Sequence, residues 1–177
     1  KPDGGTFLVG SSSPVVISPT LYKNVPYDPV KDLTPITPIA KAPFLLVTGA
    51  NSGINSMDEL LKLIKADKVK LYGGTTTQRI KALPNTPTLA EGGLKGFEVK
   101  VWHGVYAPRG TPPAVIDRLN VALRTSLKDP AVAARLAELG AEIEPKKKQT
   151  PEGLRTWLQS EIEKWSPIIK AAGVQAD

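Results

Sequence analysis

Three consecutive serines near the start of the chain are the clearest candidates for binding chemistry. Gly10, Ser11, Ser12 and Ser13 come directly after the apolar stretch 6–9. Small hydroxyl residues between a strand and a helix can hold an anion, because backbone N–H groups, hydroxyl groups and the positive helix end converge there. In open α/β sheets, ligands also collect at the carboxyl ends of strands. The same residues are equally compatible with an ordinary polar turn.

His103 is the one histidine of the chain, so a general base of the serine-hydrolase kind would have to be this residue. It follows Trp102 in an apolar stretch, where a packed or hydrogen-bonded structural histidine is the favoured interpretation. The serine turn is not a nucleophile elbow, since Pro14 replaces the second glycine of G-x-S-x-G. A hydrolase that relies on His103 stays open as an alternative, and it requires an exposed His103 beside a serine and an acid.

The composition excludes several classes of protein. The chain has 177 residues, of which 41% are hydrophobic and 23% charged, as in an ordinary folded domain. It has no cysteine, which removes disulfides and thiol chemistry, and no metal or other cofactor is expected. No apolar run approaches the roughly 18 residues of a membrane span, and no signal-peptide pattern opens the sequence.

The net charge of +6 comes from 23 Lys and Arg against 17 Asp and Glu. The one dense basic cluster is 146–148, and elsewhere basic residues alternate with acids, as in residues 161–164. No aromatic residues interleave with a basic stripe, so nucleic-acid binding is not predicted. The charge is interpreted as a solvated surface.

Short strands alternate with amphipathic helices, which predicts an α/β sheet layered by helices. Apolar runs predict a buried strand at 6–9 and further strands at 44–47, 69–72 and 97–106. Capping and proline signals predict helices that begin near residues 17, 56, 113, 130 and 151. Pro167 should kink the last helix because it removes an N–H, and Trp102, Trp157 and Trp165 are assigned to packing.

The segment 69–79 joins two parts of the chain abruptly. The predicted strand 69–72 leads into Gly73 and Gly74, then into three threonines and Arg79, with no room for a crossover connection. This junction is either a natural turn or a seam where a longer segment is absent.

Dispersed motifs cover almost the whole chain. In the first half they are PDG at 2–4, FLVGSSS at 7–13, SPTLYK at 18–23 and PYDPVKD at 26–32. In the second half they are ALPNTPTLAE at 82–91, WHGVYAP at 102–108, GTP at 110–112, LN at 119–120, LGA at 139–141, EKW at 163–165 and KAAG at 170–173. With these motifs in this order, the chain resembles the substrate-binding proteins of tripartite tricarboxylate transporters, the TctC-like or Bug (Bordetella uptake) family.

The resemblance implies a lobe of a periplasmic binding protein of the Venus-flytrap kind, with a βα-layered mixed sheet flanked by helices and no catalytic activity. Family members bind small carboxylates or related metabolites between two lobes and deliver them to a membrane transporter. The implied partners are a carboxylate solute and transporter subunits, the implied location is the periplasm, and a monomer is expected. Gly10, Ser11, Ser12 and Ser13 fall on a ligand-facing loop of lobe one. Pro14 and Val15 stand where many relatives continue this loop with small polar residues and a His, which leaves the ligand class open.

The resemblance also interprets the junction between residues 74 and 75 as a seam. In the family, a strand like 70–72 leads into a whole second lobe, with hinge strands that correspond to the region 72–76. Residues 1–74 are then the first part of lobe one, without its leading strand, and residues 75–177 are the return segment and C-terminal helices of that lobe. The second lobe is expected to be absent at the seam. An isolated structural α/β lobe without a ligand is a further alternative.

Overall fold

The computed structural model divides the chain into two compact units. It describes residues 1–44, 74–79, 87–91, 98–139 and 141–176, with the single residues 53, 62, 66, 85, 93, 95 and 96. The first unit contains Lys1–Ala42 and Val101–Asp177, and the second contains Pro43–Lys100.

The first unit is built on a four-stranded sheet in the order β1-β3-β2-β4. Its strands are β1 (Leu8–Ser11), β2 (Leu33–Pro43), β3 (Lys100–Pro108) and β4 (Glu142–Ile143). β1 runs antiparallel to β3, and β4 runs antiparallel to β2. The N–H of Arg109 donates to the carbonyl of Asp32 at 2.9 Å, so the end of β3 lies beside the start of β2.

Local signals set the starts of the long helices. The helical segments are a π-helix at Ser13–Ile17, α1 (Ser18–Leu21), α2 (Pro113–Ser126), α3 (Pro130–Glu138), a 3₁₀ helix at Lys146–Lys148 and α4 (Pro151–Ala171). Asp129 accepts hydrogen bonds from the N–H groups of Ala131 and Val132 at 2.8 and 3.3 Å. Oγ1 of Thr150 accepts from the N–H of Gly153 at 2.9 Å. With a proline at the start of each helix, these caps confirm the predicted starts of α2, α3 and α4.

Helices cover both faces of the sheet. Alternate side chains of β3 point to opposite faces, so this strand contributes to a core on each side. On one face, residues of the π-helix, β3 and α4 form a core of Val15, Val16, Trp102, Tyr106, Leu154 and Leu158. On the other face, residues of β2, β3 and α2 form a core of Ile36, Val105, Ala107 and Ile116. This layering agrees with the predicted α/β class.

The three tryptophans pack in the core as predicted. Trp102 is fully buried and stacks on Trp157, with ring centroids 4.7 Å apart. Trp165 packs against the same cluster. The helix that carries Trp157 and Trp165 continues to Ala171, so Pro167 does not end it.

The first predicted strand is wrong in its bounds and in its burial. β1 begins at Leu8 rather than at residue 6, and Leu8 and Val9 are 43% and 55% exposed. The reason is that β1 lies at an edge of the sheet, beyond the helices that cover the central strand β3 in the described part of the chain.

Several predicted elements lie outside the described residues. They are the strand at 69–72, the helix that begins near residue 56, and most of the strand at 44–47. Phe44 itself is described; it follows β2 and is 53% exposed.

The second unit contains a small hydrogen-bonded region. The N–H of Gly74 donates to the carbonyl of Pro87, and the N–H of Leu89 donates to the carbonyl of Gly74, both at 2.9 Å. Thr88 and Glu91 form a capping box that the sequence reading overlooked, with the N–H of Thr88 donating to the Glu91 carboxylate at 2.6 Å. This hydrogen bond lowers the pKa of Glu91. The predicted seam lies within this unit and stays a prediction.

Candidate functional site

The serine segment lies at the junction between β1 and the π-helix. β1 ends at Ser11, and the π-helix begins at Ser13 with Pro14 in its first turn. Gly10 is buried, and a Cβ at that position would lie 3.3 Å from Cγ1 of Val15 and 3.5 Å from Cε2 of Tyr106. A larger residue at position 10 would therefore push the serine segment away from the core.

The three serines differ in exposure. Ser11 is half-buried, Ser12 is 9% exposed and Ser13 is exposed. Ser12 precedes the π-helix, but its side chain makes no capping hydrogen bond. Among the described residues, none of the three hydroxyl groups has a hydrogen-bond partner, and Ser11 and Ser13 are the more accessible two.

His103 was considered from the sequence only as the base of a hydrolase, and its place beside the serine segment was not predicted. In the antiparallel pairing of β1 with β3, His103 stands directly opposite Ser11. Directly opposed residues project to the same face of a sheet, with Cβ atoms about 4.5–5.5 Å apart. The half-buried imidazole and the serine hydroxyl are therefore neighbours. Only the strand register brings them together, and no local pattern in the sequence indicates it.

The geometry does not support the hydrolase alternative. His103 is half-buried on the face of β3 opposite to Trp102, so it is neither packed under that indole nor fully exposed. In the described part of the chain, no acidic side chain hydrogen-bonds or ion-pairs with His103. The pair of Ser11 and His103 thus lacks the third group that would orient the imidazole for base catalysis.

Two further polar groups near the site are fully enclosed. Nε1 of Trp102 and the hydroxyl of Tyr106 are buried and have no hydrogen-bond partner among the residues that the structure describes. Burial raises the pKa of Tyr106, which keeps the phenol neutral. Neither atom reaches the surface, so neither belongs to a solute site that is open in this structure.

Two clefts of the first unit lie away from the serine segment. One has a volume of about 350 Å³ and lies between the loop before β2 and α4. The other has a volume of about 480 Å³ and lies between the same loop and α1. Residues 10–13 line neither cleft.

Metal and membrane features are not found in the part of the chain that the structure describes. No group of three or more His, Cys, Asp or Glu side chains there could hold a metal ion. No described helix is both long enough and apolar enough to span a membrane.

Solved structures share this fold. The periplasmic binding protein BugD is 25% identical, with a TM-score of 0.79 over 100% of this chain and 81% of BugD. A protein from R. palustris solved with adipate and MatC from Rhodopseudomonas palustris with bound malate are each 23% identical, with TM-scores of 0.77 and 0.78. They cover 99% and 96% of this chain, which covers 80% of each of them. The fold is therefore that of the periplasmic binding proteins.

The amino-acid sequence identifies the family of this chain. The sequence profile of the tripartite tricarboxylate transporter family receptor, TctC, matches residues 1–75 and 60–174. The chain belongs to this family, which confirms the resemblance. Its members are substrate-binding proteins, so the prediction of a binding protein rather than an enzyme is confirmed with it.

Relatives of known sequence are longer than the matched region. A UPF0065 protein of Agrobacterium vitis is 43% identical over 110 residues, which make up 62% of this chain and 32% of that relative. A UPF0065 protein of Pseudomonas sp. (strain P51) is 27% identical over 235 residues, covering 94% of this chain and 69% of the relative. The match thus spans about a third of the first relative and about two thirds of the second.

Proposed function

We propose that this chain is the receptor of an extracytoplasmic uptake system and captures a small carboxylate for a tripartite tricarboxylate-type membrane transporter. The observation that carries the proposal is the match to the transporter receptor family over nearly the whole chain. The ligand class is supported by two proteins of the same fold, which were solved with the dicarboxylates adipate and malate. A periplasmic location follows from this function.

The proposed solute-binding residues are Gly10, Ser11, Ser12 and Ser13, to which we add His103. Serine hydroxyls without described partners can donate to a carboxylate, and hydrogen bonds to an ionised acceptor are stronger than neutral ones. Backbone N–H groups at the start of a helix also favour negative charge, and the π-helix begins at Ser13. His103 offers a further donor beside Ser11. Gly10 contributes by allowing the segment to lie close to Val15 and Tyr106.

We also propose that the chain represents one lobe, interrupted between residues 74 and 75. Two observations support this. The family profile matches in two separate segments, 1–75 and 60–174, which overlap over residues 60–75. The alignment to the Pseudomonas relative extends over 235 positions but includes only 94% of this 177-residue chain, so the relative has some tens of residues without a counterpart here. A site without its second lobe lacks the contacts that close over a solute, and it should bind with a Kd of about 1 mM or weaker.

Amide chemical shifts during a malate titration test the function at residue level. We expect saturable shifts at Ser11, Ser12, Ser13 and His103, and no such shifts with malamide, which has the same skeleton without the charges. The double variant Ser11→Ala/Ser13→Ala should lose saturable binding. The matched control is Ser160→Ala, an exposed serine on α4, and it should bind malate like the parent.

Two outcomes would contradict the proposed site. Saturable shifts that map to other residues would move the site elsewhere. Equal responses to malate and malamide would show that the carboxylates are not recognised. A well-dispersed spectrum that malate, adipate and citrate all leave unchanged would favour the isolated lobe without a ligand.

A further inference from the structure

A cleft with a basic rim lies at the opposite end of the first unit's sheet from the serine segment. We call it the basic cleft and define it by Lys31, Leu33, Arg109, Arg155 and Leu158. It is formed by the loop before β2, the residue after β3 and the first half of α4, and its volume is about 350 Å³. Pockets of this size fit a small molecule or a short peptide segment.

Three basic residues and no acidic residue line the basic cleft, and the acids Asp28, Asp32 and Glu152 lie beside these basic residues. Lys31 pairs with Asp28 at 2.9 Å, and Arg155 pairs with Glu152. Arg109 is exposed and has no acidic partner among the described residues. Its guanidinium presents five donors in a planar fork that matches a carboxylate. The guanidinium of Arg109 is therefore the group of this rim that we expect to pair with an incoming carboxylate.

The floor of the cleft is apolar and its wall is held in place. Leu158 is 2% exposed and Leu33 is half-buried. The turn that forms the wall is fixed by Asp28, whose Oδ1 accepts from the N–H groups of Val30 and Lys31 at 2.9 and 3.1 Å. This turn presents Val30 with 49% of its surface exposed. The cleft thus combines a preformed apolar surface with a cationic edge, which suits a ligand with both characters.

The basic cleft is separate from the proposed solute site. Arg109 follows β3, and His103 lies six positions earlier along the same strand, opposite Ser11. At about 3.3 Å per residue, the two positions are about 20 Å apart. A small dicarboxylate cannot reach both. The cleft therefore stays accessible to a second partner while a solute occupies the serine segment.

We propose that the basic cleft docks an extended segment of a protein partner in which an acidic side chain lies next to apolar ones. The carboxylate pairs with Arg109, and the apolar side chains rest on Leu33 and Val30. This inference rests on the proposed function, because a receptor has to contact its membrane partner while the solute is still bound. A protein segment suits the cleft better than a lipid surface, because a concave cleft of about 350 Å³ admits side chains, which a flat layer of headgroups does not offer.

Fluorescence polarisation with a labelled peptide tests the docking surface in the complete chain. The probe is a heptapeptide of alternating glutamate and leucine, and a peptide of alternating lysine and leucine is the charge-reversed control. We expect the acidic peptide to bind and Arg109→Gln to weaken it about tenfold, the worth of one charge-assisted hydrogen bond. Arg118→Gln is the matched control, since Arg118 is exposed on α2, which packs on the other face of the sheet. It should change the affinity less than twofold.

Three results would overturn the proposal. The first is equal binding of the two peptides, or no binding of the acidic one. The second is an equal loss of affinity in the Arg109 and Arg118 variants. The third is displacement of the peptide by free glutarate, or by vesicles containing phosphatidylglycerol, together with loss of that competitor's own binding in Arg109→Gln. Displacement by glutarate would assign the cleft to a solute, and displacement by vesicles would assign it to a membrane. A malate titration on the same samples separates these failures from a failure of the serine site.

Discussion

Replacing Gly153 with alanine in the first turn of α4 is expected to destabilise the protein, although alanine is the better helix former. Helix propensity alone favours alanine over glycine by about 1 kcal/mol. A Cβ at this position would, however, overlap the carbonyl oxygen of Lys148 and lie 3.0 Å from Oγ1 of Thr150. The overlapped atom belongs to the backbone of the 3₁₀ helix, so no side-chain rotation relieves the contact.

The magnitude follows from what has to move. Separating the 3₁₀ helix from α4 breaks the Thr150 cap, which is worth about 1 kcal/mol, and crowding of this kind typically costs about 1–3 kcal/mol more. After subtraction of the propensity gain, the free energy of unfolding should fall by about 1–3 kcal/mol. For a chain of this length that corresponds to a melting temperature lower by about 2–12 °C.

Urea unfolding monitored by tryptophan fluorescence measures this change. The control in the same helix is Ser160→Ala, where an exposed hydroxyl bonds only to the carbonyl of Trp157 and the effect should stay within about 0.5 kcal/mol. Thr150→Ala removes the cap alone, and its effect should not add fully to that of Gly153→Ala because both break the same hydrogen bond. If Gly153→Ala unfolds at higher urea than the parent, propensity outweighs the contact and the reasoning is refuted.

Three further predictions follow from described contacts. Gly104→Ala should lower the unfolding free energy by about 1–3 kcal/mol, because the new Cβ would lie 2.8 Å from Cδ1 of buried Leu154; the added Leu154→Val change should reduce that penalty, as a double-mutant cycle by urea unfolding would show. Asn120→Leu should cost about 2–4 kcal/mol, since Nδ2 of Asn120 donates to the carbonyls of Ile36 and Gln149 at 2.9 and 3.1 Å; an unchanged urea midpoint would contradict this. The hydrogen bond from Lys31 lowers the pKa of Asp28, so this carboxylate contributes stability above its unfolded pKa and loses it as the pH falls through the lower folded pKa. Asp28→Asn should therefore be less stable than the parent at neutral pH, and the gap should narrow below about pH 4, as unfolding midpoints at both pH values would reveal.

Helices were predictable from this sequence because their signals are local. Pro113, the Asp129 cap and the Thr150 cap all act within one turn of the helix that they start. The apolar stripe of α4 likewise depends on spacing alone, and its Leu154 and Leu158 are buried as that stripe requires.

Strand β2 could not be predicted, because prolines inside a segment are typical of a loop. Pro35 and Pro38 stand inside it, and a proline cannot donate to a strand ladder. On the β4 side, the described pairing of β2 is limited to Ala40 and Lys41, which come after both prolines. Positions three residues apart face opposite sides of a strand, so this unpaired edge accounts for only one of the two prolines. β4 itself lies about a hundred residues later in the chain, and no local pattern indicates this pairing.

The candidate site also has one part that the local sequence indicates and one part that depends on strand pairing. The composition of residues 10–13 was compatible with an anion-binding turn and equally with an ordinary polar turn, whereas the proximity of His103 depends on how β1 pairs with β3. Residue type is visible in a sequence, but register is decided by the fit of whole strands.

One strand, β3, connects the two proposed surfaces, and this makes their independence testable. Coupling between distant sites requires an element with two arrangements that both sites bias. β3 is packed on both faces, by Leu154 on one and by Ile116 on the other. We therefore expect Arg109→Gln to leave the malate-induced shifts at Ser11, and their midpoint, unchanged within twofold. A larger change in that midpoint would show that the cleft and the serine segment communicate, and would require a second arrangement of this sheet.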